Sequence, residues 1–286
     1  MSDAPLDPRE HPFRTDLAAS YLEGKVDAAR FVDGEDTGVA VGALSVREGP
    51  GAAFWQSSEL LFGERFTVYQ RTDGWAWGQS QTDGYVGYVS VDGLGSVPGT
   101  YSHEVAALRT YLFSALDLKS MPLDVLHMTT RITVQGSEGD YAHLVGGGFV
   151  HQRHLATLPT VESDHVATAR RFRGALYAWG GRSSIGLDCS GLVQLALARA
   201  GVSAPRDSDQ QSRSTGKLVE GGLEAALPGD LLYMRGHVVI LSEPGRVLHA
   251  NAHHMAVAEE GLADFLARIT GMGLEITAVR RVKSAS

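Results

Sequence analysis

The stretch that decides the fold of the carboxyl-terminal half runs from Tyr177 to Gln194 and reads Tyr-Ala-Trp-Gly-Gly-Arg-Ser-Ser-Ile-Gly-Leu-Asp-Cys-Ser-Gly-Leu-Val-Gln. Its first part is rich in glycine and serine, and its last part opens an apolar run that Gly201 ends. This change predicts a loop that leads into a buried helix over residues 190–200. Asp188 and Cys189 therefore lie where the loop becomes a helix.

Cys189 is the only cysteine among the 286 residues, so it forms no disulfide within the chain and belongs to no multi-cysteine zinc site. A lone cysteine is most often a small buried hydrophobic residue. The first turn of a helix, however, offers unpaired N–H groups and the positive end of the helix dipole, which should lower the pKa of a thiol. Because the thiolate is the nucleophilic form, Cys189 is the candidate catalytic nucleophile.

Two histidines in later apolar runs are candidates for the base that a cysteine nucleophile needs. His237 opens the run His-Val-Val-Ile-Leu, and His249 lies within Val-Leu-His-Ala-Asn. A hairpin centred near Glu243 would place residue 237 directly opposite residue 249, with their Cβ atoms about 4.5–5.5 Å apart on one face. In that register His237 serves as the base and His249 orients its ring.

The group His249, His253 and His254 is also open to interpretation as a metal site, because its spacing resembles that of metal-binding histidines. No carboxylate or cysteine completes a recognisable ligand set in the sequence. We therefore expect no metal and no cofactor.

The rest of this half predicts an α+β domain. Helices are expected over residues 164–173 and around Leu262, Phe265, Leu266 and Ile269. Strands are expected in Gly-Asp-Leu-Leu-Tyr-Met, His-Val-Val-Ile-Leu-Ser, Arg-Val-Leu-His-Ala-Asn and Leu-Glu-Ile-Thr-Ala-Val-Arg-Arg-Val.

The amino-terminal half consists of short alternating stretches broken by glycine, which is typical of small β-barrels. A weak internal repeat supports two barrels of roughly sixty residues. Before them, residues 1–36 are polar, with a short helical pattern around Leu17 and Leu22. The matched pairs of the repeat are 66–68 with 132–134, 75–77 with 141–143, 87–89 with 148–150, and 41–44 with 105–108.

The composition limits the classes of partner. The chain is 43% hydrophobic, carries a net charge of −8 and has a pI near 5.7, so nucleic acid is not expected as a partner. No stretch approaches the ~18 apolar residues of a membrane helix, so no membrane is expected either. Asp3, Asp7 and Glu10 lie where a signal peptide would have a basic end and an apolar run, so we expect a cytoplasmic protein.

Four motifs, in this order, resemble the NlpC family of papain-like cell-wall cysteine peptidases: Tyr-Ala-Trp-Gly-Gly to Leu-Asp-Cys-Ser-Gly-Leu-Val-Gln, Ala-Pro-Arg-Asp-Ser-Asp-Gln-Gln, Leu-Pro-Gly-Asp-Leu-Leu-Tyr-Met with Gly-His-Val-Val-Ile-Leu, and Val-Leu-His-Ala-Asn-Ala. The resemblance covers about residues 164–286, and both upstream copies resemble bacterial SH3-like domains. It implies an α+β protein with two SH3-like β-barrels followed by a papain-like catalytic domain. The expected divisions are an amino-terminal segment 1–36, barrels 37–97 and 98–159, and a peptidase domain 160–286.

The resemblance implies cleavage of free murein peptides between D-glutamate, through its γ-carboxyl, and the following diamino acid. It makes Cys189 the nucleophile, His237 the base and His249 the third residue. Tyr177 would lie near the developing oxyanion, and Tyr85 of the first barrel would close the pocket. The substrate's free amine and D-glutamate carboxylate would be held by Asp188, Ser190, Arg206, Asp207 and Ser208.

Several questions stay open at the level of sequence. Glu64 and Asp83 are both candidates for the acidic residue of the first barrel that helps to bind the amine in some relatives. The diamino acid, diaminopimelate or lysine, and the oligomeric state are undetermined. The alternatives in function are an amidase or acyltransferase on the same scaffold, and a non-catalytic wall-binding protein that uses its SH3-like domains.

Overall fold

The computed structural model of the chain describes residues 5–97 and 99–283, so Asp3 of the amino-terminal segment lies outside the described residues. The chain divides into two compact units, residues 1–158 and residues 159–286. Along the described part of the chain, no helix has the length and apolar character needed to cross a membrane.

The amino-terminal segment contains two short parallel strands, β1 (Ala18–Ala19) and β2 (Phe31–Val32). The helical pattern predicted here is wrong beyond the single 3-10 turn Ser20–Leu22. The segment buries both Leu17 and Leu22, of which only Leu22 belongs to the 3-10 turn. Its Arg14 guanidinium lies 4.3 Å from the ring centroid of Trp77 in the sheet that follows.

A seven-stranded antiparallel sheet follows, in the order β5-β4-β8-β7-β6-β3-β9. Alternate residues of its strands point into one apolar core that includes Val46, Leu60, Phe66 and Val89. The tight turn between β6 and β7 uses Asp73 and Gly74, both at positive φ, as a two-residue hairpin requires. The strands are β3 (Glu35–Val39), β4 (Ala43–Arg47), β5 (Gln56–Leu61), β6 (Arg65–Thr72), β7 (Trp75–Ser80), β8 (Val86–Ser90) and β9 (Leu94–Gly95).

The next eight strands repeat this order in two sheets. The order β12-β11-β16-β15-β14 corresponds to β5-β4-β8-β7-β6, and β13-β10-β17 corresponds to β6-β3-β9. The equivalent of β6 is divided in two, which separates the sheets. The strands are β10 (His103–Val105), β11 (Arg109–Phe113), β12 (Pro122–His127), β13 (Arg131–Ile132), β14 (Val134–Glu138), β15 (Tyr141–Leu144), β16 (Phe149–His151) and β17 (Leu155–Thr157).

Strand pairing agrees with three of the four sequence matches of the repeat. The corresponding backbone pairs are Thr37–Phe66 with His103–Ile132, and Trp77–Tyr88 with His143–Phe149.

The fourth match is wrong by two residues. Val39, and not Val41, occupies the place of Val105. Val39 accepts a backbone hydrogen bond from Gly63 and Val105 accepts the equivalent bond from Thr129, and the two acceptors, like the two donors, are 66 positions apart. The alternation of apolar and polar residues along a strand is unchanged by a shift of two residues. The sequence pattern therefore does not distinguish the correct alignment from one that is two residues off.

The second unit is an α+β domain built on the eight-stranded sheet β19-β18-β24-β23-β22-β21-β25-β20. The predicted helices and strands of this region are present, whereas α3 and the strands β18, β19, β20 and β24 were not predicted. The elements are α1 (His165–Arg170), β18 (Leu176–Tyr177), β19 (Gly186–Leu187), α2 (Cys189–Arg199), α3 (Ser208–Ser214), β20 (Lys217–Leu218), β21 (Leu231–Met234), β22 (His237–Glu243), β23 (Arg246–Asn251), β24 (Ala256–Gly261), α4 (Leu262–Gly271) and β25 (Ala278–Arg281).

The register predicted for the β22–β23 hairpin is wrong by two residues. The observed pairs are Ile240–Leu248 and Leu241–Val247, and a bulge precedes the Glu243–Arg246 pair at the turn. In this register His237 does not lie directly opposite His249. A shift by two residues keeps every side chain on its original face, however, so the two histidines become diagonal neighbours on one face.

Candidate active site

The site is built around the amino terminus of α2, whose first residue is Cys189. Asp188 caps the helix: its Oδ1 accepts a 2.7 Å hydrogen bond from the backbone N–H of Gly191. Its Oδ2 accepts a 2.9 Å bond from the N–H of Gly180, which ties the preceding loop to the same carboxylate. Cys189 is therefore held at a fixed point between loop and helix.

Cys189 is a buried free thiol whose pKa is not lowered, contrary to the expectation from its position on the helix. Burial, followed by the negative charge of Asp188, raises the pKa of the thiol to about 12. The backbone N–H groups of Val238 and Ser190 act in the opposite direction but do not outweigh burial. Ionisation of Cys189 at neutral pH thus requires a base to remove the proton.

His237 at the start of β22 and His249 on β23 supply a hydrogen-bonded pair of imidazoles. Val238, whose backbone N–H faces the sulfur, directly follows His237, so the thiol lies at the start of β22. His237 Nε2 is 2.8 Å from His249 Nδ1, as a base and its orienting residue require. Burial lowers the pKa of His237 to about 4 and that of His249 to about 3, so both rings are neutral at pH 7.

Two residues that the sequence analysis missed continue this chain of contacts. His249 Nε2 is 2.8 Å from Oε1 of Glu260 on β24, and the guanidinium of Arg268 on α4 donates to both carboxylate oxygens of Glu260. The available signal was the alternating run Ala-Val-Ala-Glu-Glu-Gly, which indicates a strand with one carboxylate on each face.

Three residues expected to bind substrate form a buried network inside the domain. Arg206 donates to both oxygens of Asp188, at 3.0 and 2.5 Å, and to the Ser190 hydroxyl at 2.8 Å. The side chain of Arg206 is 1% exposed and that of Asp188 is 10% exposed. The observed contacts fix the start of α2, and the roles of these residues towards substrate stay predictions.

The other expected substrate residues of the second unit lie around the same helix terminus. Burial, followed by the repulsion that an ionised Cys189 would exert and by the negative charge of Asp188, raises the pKa of Tyr177 to about 12. Asp207 precedes α3, its backbone N–H donating to Gln210 at 3.1 Å, and Ser208 is the first residue of that helix. Their contacts with substrate stay predictions.

Tyr85, the expected pocket-closing residue of the first barrel, is 7% exposed and packs in the apolar core of that barrel. The side chain of Asp83 accepts a 3.2 Å bond from the backbone N–H of Tyr85, and that of Glu64 accepts a 3.0 Å bond from Leu61. The parts these three residues play in binding stay predictions.

The structure does contain a possible metal-binding group, but its three residues are not the three considered in the sequence analysis. One donor atom each of His249, His254 and Glu260 lies within 4.8 Å of the others. Both nitrogens of His249 are already hydrogen-bonded, and both oxygens of Glu260 accept from the cation Arg268. These contacts favour a hydrogen-bonded chain over coordination of a cation at this position.

A thiol at a helix terminus, a neutral imidazole and a second imidazole hydrogen-bonded to it are the kinds of group that cysteine-nucleophile catalysis uses. The comparisons with known proteins specify the class. Residues 174–267 match the NlpC/P60 family, and residues 46–94 match the bacterial dipeptidyl-peptidase SH3 domain. The chain therefore contains an NlpC/P60 domain and a bacterial dipeptidyl-peptidase SH3 domain, which confirms the resemblance seen in the sequence.

Curated relatives match different lengths of the chain. The bifunctional muramidase/DL-endopeptidase CwlT of Bacillus subtilis is 38% identical over 92 residues, which are 29% of this chain and 27% of that protein. The gamma-D-glutamyl-L-lysine dipeptidyl-peptidase of the same species is 26% identical over 214 residues, which are 68% of this chain and 71% of that protein. Thus the chain spans about a quarter of the length of CwlT and most of that of the dipeptidyl-peptidase.

Among solved structures, an NlpC/P60 family protein from Bacillus cereus aligns with 87% of this chain and with all of its own chain. The TM-score is 0.74 at 18% sequence identity, which shows a shared fold.

Proposed function

We propose that this chain is a cysteine peptidase that hydrolyses the γ-D-glutamyl–diamino acid bond of free murein peptides, such as L-Ala-γ-D-Glu-diaminopimelate. The observation that carries the proposal is the hydrogen-bonded pair His237–His249, in which His237 directly precedes Val238, whose backbone N–H faces the thiol of Cys189. The gamma-D-glutamyl-L-lysine dipeptidyl-peptidase, which resembles this chain across both units, supports the choice of bond. The proposal includes a cytoplasmic role in recycling of wall peptides and a second SH3-like barrel in residues 98–159.

The reaction begins from a neutral thiol and a neutral imidazole, because burial raises the pKa of Cys189 and lowers that of His237. His237 takes the thiol proton as sulfur attacks the γ-carbonyl carbon of D-glutamate, which gives a tetrahedral intermediate. His237 then gives the proton to the leaving amine of the diamino acid, and a thioester remains on Cys189. Water, deprotonated by His237, hydrolyses the thioester and regenerates the thiol.

Two groups near the sulfur favour the charged stages of this cycle. The hydroxyl of Tyr177 is un-ionised at neutral pH, since its pKa is raised to about 12, and it can donate to the developing oxyanion. His249 holds the ring of His237 through the 2.8 Å contact while His237 is positively charged.

The first test is hydrolysis of L-Ala-γ-D-Glu-diaminopimelate and of the lysine analogue by wild type, Cys189→Ala and His237→Ala. We expect both variants to lose turnover, because no other described thiol or base replaces these groups. The matched control is His253→Ala, which removes an exposed histidine near the site and should retain activity. EDTA should have no effect, since the mechanism uses no metal. Turnover in Cys189→Ala would refute the proposal.

A further inference from the structure

Glu260 is the last acceptor in the series of hydrogen bonds that runs from His237 through His249, and the reaction as described above does not use it. The side chain of Glu260 is 11% exposed, and that of His249 is 1% exposed. Their 2.8 Å contact is a short, shielded hydrogen bond between an imidazole N–H and a carboxylate.

The protonation state of Glu260 makes it an acceptor only. Burial raises the pKa of its carboxyl, but hydrogen bonds from Arg268 and His249 outweigh burial and lower the pKa to about 2. An ionised carboxylate has no proton to donate, so the proton in its contact with His249 must reside on His249 Nε2.

The position of that proton determines which nitrogen of His249, and then of His237, donates and which accepts. A neutral imidazole carries one proton, so a proton on Nε2 leaves Nδ1 of His249 as an acceptor. Nδ1 of His249 then accepts from Nε2–H of His237 across their 2.8 Å contact. With its single proton on Nε2, His237 has an unprotonated Nδ1, which is free to take the thiol proton of Cys189.

We propose that Glu260 is a positioning residue that sets the tautomers of both histidines, and that Arg268 holds its carboxylate in the required orientation. The inference rests on the proposed peptidase function but concerns residues outside the Cys189–His237–His249 set. Arg268 has a second attachment, since its guanidinium lies 5.6 Å from the ring centroid of Phe265 on the same helix. Phe265 in turn packs edge-on against His249, with centroids 5.4 Å apart.

Other charges that act on His237 do not select a tautomer in this way. Asp188 and Glu260 raise the pKa of His237, Arg268 lowers it, and burial exceeds all three. Asp188 is bound by Arg206, Gly180 and Gly191, so its carboxylate is already used at the start of α2. His254, which lies near His249, has Nδ1 3.0 Å from the side-chain oxygen of Asn251.

Glu259 provides a matched control. It is the adjacent residue of β24, its side chain is 7% exposed, and it also pairs with an arginine, Arg170, at 2.9 Å. Because successive strand residues point to opposite faces, Glu259 contacts Ser242 instead of the histidine pair. Glu259→Gln therefore imposes the same chemical change at similar burial without touching His249.

The kinetic test compares Glu260→Gln and Glu260→Ala with Glu259→Gln. Without the carboxylate, His249 can carry its proton on Nδ1, which forces the proton of His237 onto the nitrogen that must act as base. We expect kcat to fall about 10- to 100-fold in both Glu260 variants while KM stays within about twofold, as for other residues that orient a reacting group indirectly. Equal kcat in Glu260→Gln and Glu259→Gln would overturn the proposal.

A second measurement needs neither hydrolysis nor folding of a Glu260 variant. Ring ¹⁵N chemical shifts of the intact protein at pH 7, assigned with His237→Ala and His249→Ala, report the tautomer of each histidine. We expect the Nε2–H form for both His237 and His249. An Nδ1–H form of either ring overturns the inference whether or not the chain cleaves murein peptides. Expected tautomers in a protein without peptidase activity would leave the inference standing and refute the proposed function instead.

Discussion

At the scale of single residues, the ionisation of Cys189 is governed by burial more than by its place on a helix. The thiol is 8% exposed and lies beside the carboxylate of Asp188, and both conditions disfavour a thiolate. Arg206 and two backbone N–H groups favour it to a smaller extent. The resting enzyme is therefore expected to hold a neutral thiol next to a neutral imidazole.

This charge state makes a prediction for the alkylation of Cys189 by iodoacetamide. The thiolate is the reactive form of Cys189. Because the pKa of this thiol is about 12, its thiolate fraction increases tenfold for each unit by which the pH rises towards that value. The rate constant should therefore rise about tenfold per pH unit between about pH 7 and pH 9. A plateau below pH 7 would contradict the prediction and would indicate a thiolate–imidazolium pair instead.

At the scale of elements, the ion pair Asp188–Arg206 joins the start of α2 to the segment that leads into α3. Asp188 caps α2, and Arg206 comes two residues before Ser208, the first residue of α3. Ser190 completes the network through its hydroxyl. Two helices that carry expected substrate residues thus depend on one buried arginine.

Replacement of Arg206 by methionine should destabilise the protein by about 3–5 kcal/mol, because it leaves the buried carboxylate of Asp188 without its cation. Arg213→Met is the control, since Arg213 pairs with Asp209 on α3 at 3.0 Å with both side chains largely exposed. That change should cost about 1 kcal/mol or less. Urea unfolding of the full chain measures the free energy of unfolding of both variants. Equal losses would show that the buried ion pair stabilises the protein no more than the exposed one.

At the scale of the whole molecule, the proposed substrate is distinguished by its free amine. We propose that the free amine of L-alanine is recognised by an acidic group, with Asp188 and Asp207 as the candidates; the side chain of each already accepts a backbone hydrogen bond at the start of a helix. The part of Tyr85 in limiting the substrate to a short peptide stays a prediction. The packing of this side chain in the barrel core makes Tyr85→Phe a better test than removal of the ring.

We predict that N-acetyl-L-Ala-γ-D-Glu-diaminopimelate is cleaved about 100-fold or more slowly than the free peptide, because acetylation removes the charge that pairs with a shielded carboxylate. The ratio of kcat/KM for the two peptides measures this selectivity, and we expect the ratio to be smaller in Tyr85→Phe. Comparable rates for free peptide, acetylated peptide and intact murein would show that the site does not require a free amine.

The sequence by itself determined the features that depend on neighbouring residues or on strand periodicity. The loop, cap and apolar run around Asp188 and Cys189 specify where α2 begins. His237 and His249 share one face even though the predicted register was wrong by two residues, because side chains of a strand repeat every two positions. The same periodicity concealed the two-residue error in the fourth match of the internal repeat.

Only the tertiary structure decided what surrounds these residues. Glu260 reaches His249 because β24 pairs with β23 in a register where Ala258 faces His249, and Arg268 arrives from α4. Neither contact follows from a local pattern. The pKa of Cys189 likewise depends on how many neighbours exclude water from the thiol, which a sequence motif does not specify. Position along the chain sets which groups can react, whereas packing sets their charge and their partners.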